Sequence, residues 1–458
     1  MLIEFSVSNF LSFNDRQTFS MRSGNVRLKM NHVSRSRKCN LLKFAAVYGA
    51  NGAGKSNLVT AMKFARRVIC DGLKSGDRSK YCRIHPENSD RNTTFEFQLK
   101  LGNKMYAYGF EVLLSKESIR KEWLSEIQAN GETKELFVRE PAEKISRLES
   151  VREQVLDTLI QHIGYTVVFV CDMTSNDTVL FLTEMSRNKS DFFASNENLQ
   201  FLQSLYTWFK ETLSINYPNT ISTSDNFTES EKLQEINKFI SRLDLGLSGV
   251  RLVECSLDEL HQHMPPKIAE ELLERFKKDI AEIPKQYPNF SGGVVLHSPR
   301  DFFLLSYDGD TKEIQLKKLE FIHNNIETTF EYHEESDGTL RLLDLVDILI
   351  SAKFGSRRVY VIDEIDRYLH PLLTRKFVEE YLNVVDNTEI QLIVTTHESK
   401  LMDLSLLRAD EIRFVTKDEY GSSEFDTLDK YNERFDKKVV KAYLNGEYNG
   451  IPKFDKSA

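Results

Sequence analysis

A glycine-rich segment, residues 49–56 (Gly-Ala-Asn-Gly-Ala-Gly-Lys-Ser, the glycine loop), constrains the fold of this chain more than any other segment. It follows the apolar run 41–48 and precedes residues 57–70, whose apolar side chains recur at helical spacing. Buried strand, loop and helix in this order predict an α/β fold with the loop at the carboxyl end of a strand. Because successive N–H groups of such a loop converge on anionic oxygens, the spacing indicates a nucleotide phosphate site.

The loop residues have predicted roles in binding ATP and Mg²⁺. Lys55 is expected to bridge the β- and γ-phosphates, and the Ser56 hydroxyl is expected to bind Mg²⁺. The other predicted nucleotide contacts are Gly49, Asn51, Gly52, Gly54 and Asn57. A flexible turn that only resembles the motif is the alternative, and the flanking strand and helix argue against it.

A second apolar run ends in two carboxylates. Residues 359–362 predict a strand buried on both faces, followed directly by Asp363 and Glu364. Since open α/β sheets bind ligands at the carboxyl ends of their strands, we expect Asp363 to hold Mg²⁺ through water. Glu364 is expected to polarise the attacking water. Taken alone, the pair also fits a strand with a solvated end, and the glycine loop favours the catalytic interpretation.

Two further patterns extend the predicted site. His397 follows the apolar run 390–395, where a neutral imidazole could reach the γ-phosphate and the attacking water. A surface histidine without such a role is the alternative. Ser336 and Gly338 open a predicted helix at 340–350, so the serine is a candidate helix cap and the glycine permits close backbone approach to an anion. Helix capping alone would explain this second pattern equally well.

Charge is unevenly distributed along the 458 residues, whose formal net charge is −8. Residues 16–70 contain twelve basic and no acidic residues, whereas the rest of the chain has 49 basic and 69 acidic residues. This asymmetry predicts an anionic ligand or partner. Within it, residues 22–43 are expected to form a basic loop. This loop either faces nucleotide inside an oligomer or binds an external anionic partner, which is a nucleic acid or an acidic protein. Its cations are Arg22, Arg27, Lys29, Arg35, Arg37, Lys38 and Lys43.

Composition predicts three domains. Residues 1–140 hold the glycine loop and alternating aromatic strands, residues 141–290 are charged and mainly helical in period, and residues 291–458 hold the later motifs. The five cysteines have no metal-ligand spacing, the N-terminus lacks the pattern of a signal peptide, and no apolar run is long enough to span a membrane. We therefore expect a cytoplasmic protein with reduced thiols and no membrane association.

The motifs together resemble those of ABC-class ATPases. GANGAGKS, ESDGTLR, VYVIDEIDRYLHP and VTTHE look like the Walker A, signature, Walker B with D-loop, and switch-histidine elements. The opening IEFSVSNFLSF and the ending KAYLNGEYNGIPKF are similar to soluble SMC-like members related to the OLD and RecF families. The resemblance implies an α/β fold of the ABC-class P-loop NTPase head type, a mixed sheet with an antiparallel β lobe, interrupted by a helical insertion.

The resemblance also implies a mechanism. ATP and Mg²⁺ would be the cofactors, ATP would be hydrolysed to ADP and phosphate, and the chain would form a homo-oligomer of two or more copies with shared ATP sites. Ser336 and Gly338 of one copy would contact the γ-phosphate bound by the Walker A loop of another. Two positions depart from the usual pattern: the signature reads SDGT where transporters have SGGQ, and His370 occupies the usual aspartate position of the D-loop.

Stand-alone ATPases with this pattern resemble the ATPase subunits of two-gene bacterial phage-defence systems. The PARIS type, whose partner is a Toprim effector, is the nearest, and the Septu type, paired with an HNH nuclease, is next. The favoured function is an ATP-driven sensor and scaffold that controls a separate nuclease by ATP-dependent assembly. The alternative is a DNA-binding repair or recombination ATPase of the RecF or SMC-like type. Nuclease activity of the chain itself is disfavoured, because no Asp/Glu/His cluster outside the ATP site has suitable spacing.

Overall fold

The computed structural model describes residues 1–141, 177–187, 193, 196, 199–216, 225–227, 229–243, 246–282, 290–298, 301–324, 327–431 and 439–448. The chain forms two compact units. The first comprises Met1–Ile215, Arg357–Ile365 and Val385–Ala458, and the second comprises Asn216–Ser356 and Asp366–Val384. The division into three domains at residues 141 and 291 stays a prediction.

Strands and helices are numbered here in chain order over the described residues. The strands are β1 (Leu2–Ser8), β2 (Gln17–Ser20), β3 (Val33–Ser34), β4 (Leu41–Leu42), β5 (Phe44–Tyr48), β6 (Thr93–Leu101), β7 (Lys104–Leu113), β8 (Ser118–Ile127), β9 (Thr133–Arg139), β10 (Leu213–Asn216), β11 (Leu247–Glu254), β12 (Gly292–Ser298), β13 (Asp301–Asp308), β14 (Glu313–His323), β15 (Thr329–Glu331), β16 (Val359–Ile362), β17 (Gln391–Thr395), β18 (Ile412–Lys417) and β19 (Ser423–Thr427). The α-helices are α1 (Lys55–Asp71), α2 (Phe181–Ser186), α3 (Gln200–Thr207), α4 (Ser230–Arg242), α5 (Leu257–His263), α6 (Pro266–Ala281), α7 (Asp337–Lys353), α8 (Pro371–Val384) and α9 (Val439–Leu444).

An antiparallel sheet of the first unit has the strand order β2-β1-β6-β7-β8-β9. Its strands follow the alternating aromatic pattern of the sequence: Phe95, Phe97 and Leu99 of β6 are buried on one face, while the residues between them are half-buried. Gly109 in β7 leaves room for the ring of Trp123 on β8, because a Cβ at this position would collide with that ring. This sheet is the predicted antiparallel β lobe.

A mixed sheet, also in the first unit, carries the predicted site. Its strand order is β10-β16-β17-β5-β18-β19. The pairs β16–β17, β17–β5 and β5–β18 are parallel, and β19 runs antiparallel to β18. Every residue of β5, β16 and β17 is buried, which is why these strands read as continuous apolar runs. The predicted α/β fold with a mixed sheet and an antiparallel β lobe is therefore confirmed.

The second unit contains an antiparallel sheet of order β11-β14-β13-β12, with β15 paired to β14. Helix α7 packs against α4 and α8. The region 141–290, predicted as mainly helical, also contributes strands β10 and β11, and residues 144–163, part of its helical sequence pattern, lie outside the described residues. No helix in the described part of the chain combines the length and apolarity needed to cross a membrane.

Candidate active site

The glycine loop connects the central strand β5 to helix α1, as predicted. Helix α1 begins at Lys55, and its N-cap residue Gly54 has φ 118° and supplies no side-chain cap. Gly52 also has a positive φ, 76°. Because the first N–H groups of a helix have no partner within the helix, an uncapped start beside a glycine-rich turn leaves donors available to an anion.

Two glycines of the loop are required by close packing. A Cβ at Gly49 would collide with the carbonyl oxygen of Val415 on β18, and a Cβ at Gly54 would collide with the Ser423 hydroxyl. Gly52, in contrast, has no atom within 4 Å of the position its Cβ would occupy. The first and third glycines of the motif therefore fix the loop against the sheet, while the second lies beside open space.

The Lys55 side chain extends towards the first residues of the glycine loop. Its ammonium group donates hydrogen bonds to the carbonyl oxygens of Gly49 at 2.8 Å and Ala50 at 3.1 Å, and the residue is only 5% exposed. These contacts hold the cation within the loop, where a charge-assisted hydrogen bond to a phosphate oxygen is strong.

Ser56 and Asp363 lie within hydrogen-bond distance of each other. The Ser56 hydroxyl donates to Asp363 Oδ1 at 3.1 Å, although the two residues are 307 positions apart in the sequence. Asp363 Oδ1 also accepts a hydrogen bond from the Thr395 hydroxyl at 2.6 Å. Hydroxyl and carboxylate oxygens are the ligands that Mg²⁺ prefers, so this pair fits the predicted metal.

Glu364 adopts a backbone conformation that is unusual for a non-glycine residue, with φ 50°. Its N–H donates to the Thr395 hydroxyl at 2.8 Å, and the N–H of Ile365 donates to the Thr395 carbonyl oxygen at 3.0 Å. Left-handed backbone at a non-glycine residue costs free energy and persists where neighbouring groups hold it. The turn that carries the predicted catalytic carboxylate is thus held by the end of strand β17.

His397 lies two residues beyond the end of β17. Strand β17 runs beside β5 with Thr395 opposite Val47, and the N–H of Thr396 continues this pairing by donating to the Val47 carbonyl oxygen at 3.1 Å. The His397 side chain is exposed. The structure therefore brings His397 to the same edge of the sheet as the glycine loop, and its contact with a phosphate stays a prediction.

A network of polar side chains that the sequence did not reveal contacts the glycine loop and the start of helix α1. The Asn57 amide donates to the Ser12 hydroxyl at 2.7 Å. The Ser423 hydroxyl lies 2.7 Å from the Ser12 hydroxyl and donates to the Ala53 carbonyl oxygen at 2.5 Å. Asn57, predicted to contact nucleotide, here connects helix α1 to the segment between β1 and β2.

The signature element lies in the second unit. Ser336 is the N-cap of helix α7, and its hydroxyl accepts the N–H of Thr339 at 3.2 Å. A Cβ at Gly338 would lie 2.8 Å from the carbonyl oxygen of Tyr368, so the glycine permits the close backbone approach that its position suggested. The predicted cap is present, whereas the group that lies close to Gly338 is a backbone carbonyl and not an anion, so contact of Ser336 and Gly338 with a nucleotide stays a prediction.

Arg341, one turn into helix α7, is a buried cation that sequence reasoning did not single out. It is 4% exposed, and burial lowers the pKa of its guanidinium group. Among the described residues, its Nε and Nη2 atoms have no hydrogen-bond partner. Buried polar groups of this kind are uncommon and call for an explanation.

Some cations of the basic loop are ion-paired or hydrogen-bonded within the protein, and the others are exposed. Arg22 pairs with Glu4 at 2.7 Å, and the Lys29 and Lys43 ammonium groups donate to backbone carbonyl oxygens. The others are exposed: Arg27, Arg35, Arg37 and Lys38. An external anionic partner of this loop therefore has four cations to bind rather than seven.

A sequence profile of the protein family described as "AAA domain, putative AbiEii toxin, Type IV TA system" matches residues 44–403. This span contains the glycine loop, the signature element, the carboxylates that follow β16 and the histidine that follows β17. No curated protein is significantly similar to this chain in sequence.

Among solved structures, the chain is similar to heads of SMC proteins. An Smc head bound to the C-winged helix domain of ScpA has 13% identity and a TM-score of 0.41, covering 93% of this chain and 97% of that chain. The SMC head domain from Thermotoga maritima has 13% identity and a TM-score of 0.36, with coverages of 93% and 98%. An Smc head with an extended coiled coil, bound to the C-terminal domain of ScpA derived from Pyrococcus furiosus, has 15% identity and a TM-score of 0.38, with coverages of 97% and 99%.

Proposed function

The chain belongs to this AAA-domain family, and on that premise we propose that it binds ATP with Mg²⁺ and hydrolyses it to ADP and phosphate. The observation that carries the proposal is the hydrogen bond of 3.1 Å between Ser56 and Asp363. It joins two oxygen ligands at the start of helix α1, where the positive end of the helix dipole and the Lys55 ammonium favour the phosphates.

Each residue of the site has a distinct task in this proposal. Ser56 and Asp363 hold Mg²⁺, which when bound neutralises negative charge on the β- and γ-phosphate oxygens. Lys55 donates to the same phosphates, and Glu364 accepts a hydrogen bond from the attacking water and orients it. His397 contributes a further hydrogen bond at the γ-phosphate.

We further propose that two or more copies share each site, with Ser336 and Gly338 of one copy completing the site of another. Two features of helix α7 support this proposal. Its N-terminus carries the partial positive charge of the helix dipole, which Asp337 in the first turn offsets in part, and the buried guanidinium of Arg341 adds positive charge one turn further on. ATP would then stabilise the oligomer as well as serve as substrate.

Mixing two inactive variants tests the shared site. We expect Lys55→Ala and Ser336→Arg to be inactive alone, because one lacks the phosphate contact and the other blocks the helix start. In an equimolar mixture that reassociates at random, intact sites form only in mixed pairs, so about a quarter of wild-type turnover should return. Absence of any recovered activity, with mixed oligomers verified by differential tagging, would contradict site sharing and leave ATP hydrolysis within one copy standing.

We propose that this ATPase acts as a sensor and scaffold in antiphage defence and controls a separate Toprim or HNH nuclease. The family description, which names a putative AbiEii toxin and a type IV toxin–antitoxin system, supports a role in this class of system. The test is co-purification of this protein with the product of the adjacent gene, with and without ATP, together with plaque counts for wild type and Lys55→Ala. Loss of both ATP-dependent association and protection in the variant is the expected result.

The alternative function, a DNA-binding repair ATPase, is favoured by one observation, the four exposed cations of the basic loop. A protein that binds duplex through them should lose affinity steeply as salt increases, with a log–log slope that becomes shallower by about 0.9 for each phosphate contact removed. Duplex binding by wild type that Arg35→Ala with Arg37→Ala weakens in this way would favour the repair function over the sensor.

A further inference from the structure

We infer that Thr395 is a positioning residue that fixes the metal-binding and the water-orienting carboxylates relative to each other. The inference rests on the proposed ATP hydrolysis at this site and assigns it a residue that the motifs do not include. Thr395 is the last residue of strand β17 and is 1% exposed.

The Thr395 hydroxyl makes two hydrogen bonds of opposite direction. It donates to Asp363 Oδ1 at 2.6 Å and accepts the N–H of Glu364 at 2.8 Å. An ionised carboxylate only accepts, and a backbone N–H only donates. Both bonds are therefore satisfied by one orientation of the hydroxyl, which couples the Asp363 side chain to the Glu364 backbone.

The backbone of Thr395 reinforces this coupling. Its carbonyl oxygen accepts the N–H of Ile365 at 3.0 Å, so the residues on both sides of the turn are held by the same threonine. Between them, Glu364 has φ 50°, a conformation that a non-glycine residue retains only where its surroundings hold it. Without the hydroxyl, Glu364 would lose the acceptor for its N–H and could relax away from the position that orients water.

The adjacent threonine has a different role. The Thr396 hydroxyl accepts the N–H of Glu398 at 2.9 Å, and its side chain makes no hydrogen bond to either carboxylate. The sequence Thr395-Thr396 cannot distinguish the two, since both follow the same apolar strand. The three-dimensional contacts assign the coupling to Thr395 alone.

The test compares Thr395→Val, which keeps the shape and removes the hydroxyl, with Thr395→Ser, which keeps the hydroxyl. For the valine variant we expect kcat to fall about 10- to 100-fold, as for loss of a hydrogen bond to a charged group. KM for ATP should change less than about threefold, because the glycine loop is intact. The Mg²⁺ concentration for half-maximal binding of a fluorescent ATP analogue should rise, and the serine variant should recover most of both losses.

Thr93→Val is the matched control. Thr93 is also buried in the first unit, and its hydroxyl donates to the Asn9 carbonyl oxygen at 2.8 Å, away from the carboxylates. We expect this variant to change the melting temperature by an amount similar to Thr395→Val while leaving kcat and the Mg²⁺ requirement at wild-type values. An equal fall in kcat in both valine variants would mean that removing any buried hydroxyl has this effect, which overturns the inference.

A second comparison uses Glu364→Gln. If Thr395 acts through Glu364, then Thr395→Val should reduce turnover little further in the glutamine background, while still raising the Mg²⁺ requirement through Asp363. Wild-type kcat in Thr395→Val overturns the inference and leaves the proposed ATPase intact. A wild-type protein that binds no ATP removes the proposed function and this inference together.

Discussion

Two helices of 17 residues begin in opposite ways in this protein. Helix α1 starts at a glycine with φ 118° and has no side-chain cap, whereas helix α7 starts at Ser336, whose hydroxyl accepts the Thr339 N–H. Both starts carry sequence patterns that predict an anion site. The two helices differ in whether a side chain caps the first turn.

The difference separates a complete binding site from an accessory one. At α1 the N-terminal N–H groups of the helix, the Lys55 ammonium and the Ser56–Asp363 pair lie together in one unit. At α7 the Ser336 hydroxyl already accepts the Thr339 N–H. We therefore expect changes at α1 to abolish nucleotide binding, and changes at α7 to affect stability and the reaction but not the binding of ATP by a single copy.

The largest effect should come from Lys55→Ala. Removal of the ammonium eliminates the charge-assisted contacts to the phosphates, and ATP affinity should fall about 100-fold or more, measured by calorimetry. Lys63→Ala, at an exposed position of the same helix, is the control and should bind ATP as wild type does. Normal ATP affinity in Lys55→Ala would remove the distinction between the two helix starts.

Gly54→Ala should have the next largest effect. The alanine must adopt a positive φ and also collide with the Ser423 hydroxyl, so the loop has to shift. ATP affinity should fall about tenfold or more, and the free energy of unfolding should fall by about 1–3 kcal/mol. Gly76→Ala is matched, since Gly76 has φ 103° and open space around its Cβ position. That variant isolates the conformational cost and should leave ATP binding unchanged.

Ser336→Ala should have the smallest effect on binding. Loss of the cap costs about 1 kcal/mol of stability and lowers the melting temperature by about 2–4 °C. ATP affinity should stay at the wild-type value, measured in the same calorimetric titration. Ser241→Ala, in helix α4 of the same unit, removes an exposed serine whose hydroxyl donates only to the Lys238 carbonyl oxygen of its own helix among the described residues, and it should leave the melting temperature nearly unchanged. Reduced ATP affinity in Ser336→Ala at concentrations at which the copies do not associate would show that Ser336 contributes to ATP binding within its own copy.

The sequence alone predicted the motifs whose residues are neighbours in the chain. The glycine loop, the carboxylates after β16 and the histidine after β17 each follow a buried apolar run, and such runs predict strands. Ser12, Thr395 and Ser423 were missed because their partners are 45, 32 and 370 positions away, respectively. A single serine or threonine has no characteristic spacing, so only the folded chain reveals these contacts. Strands β10 and β11 were missed because the charged composition around them favours helix.

The most direct test of the account compares wild type with Glu364→Gln in two measurements on the same preparation, ATP affinity and steady-state hydrolysis. We expect Glu364→Gln to bind ATP within about threefold of wild type and to hydrolyse it at least about 100-fold more slowly, because only the water-orienting carboxylate is lost. Glu424→Gln, at an exposed position of strand β19 in the same sheet, is the control and should hydrolyse ATP normally. Equal hydrolysis by wild type and Glu364→Gln, or failure of wild type to bind ATP, would contradict the account.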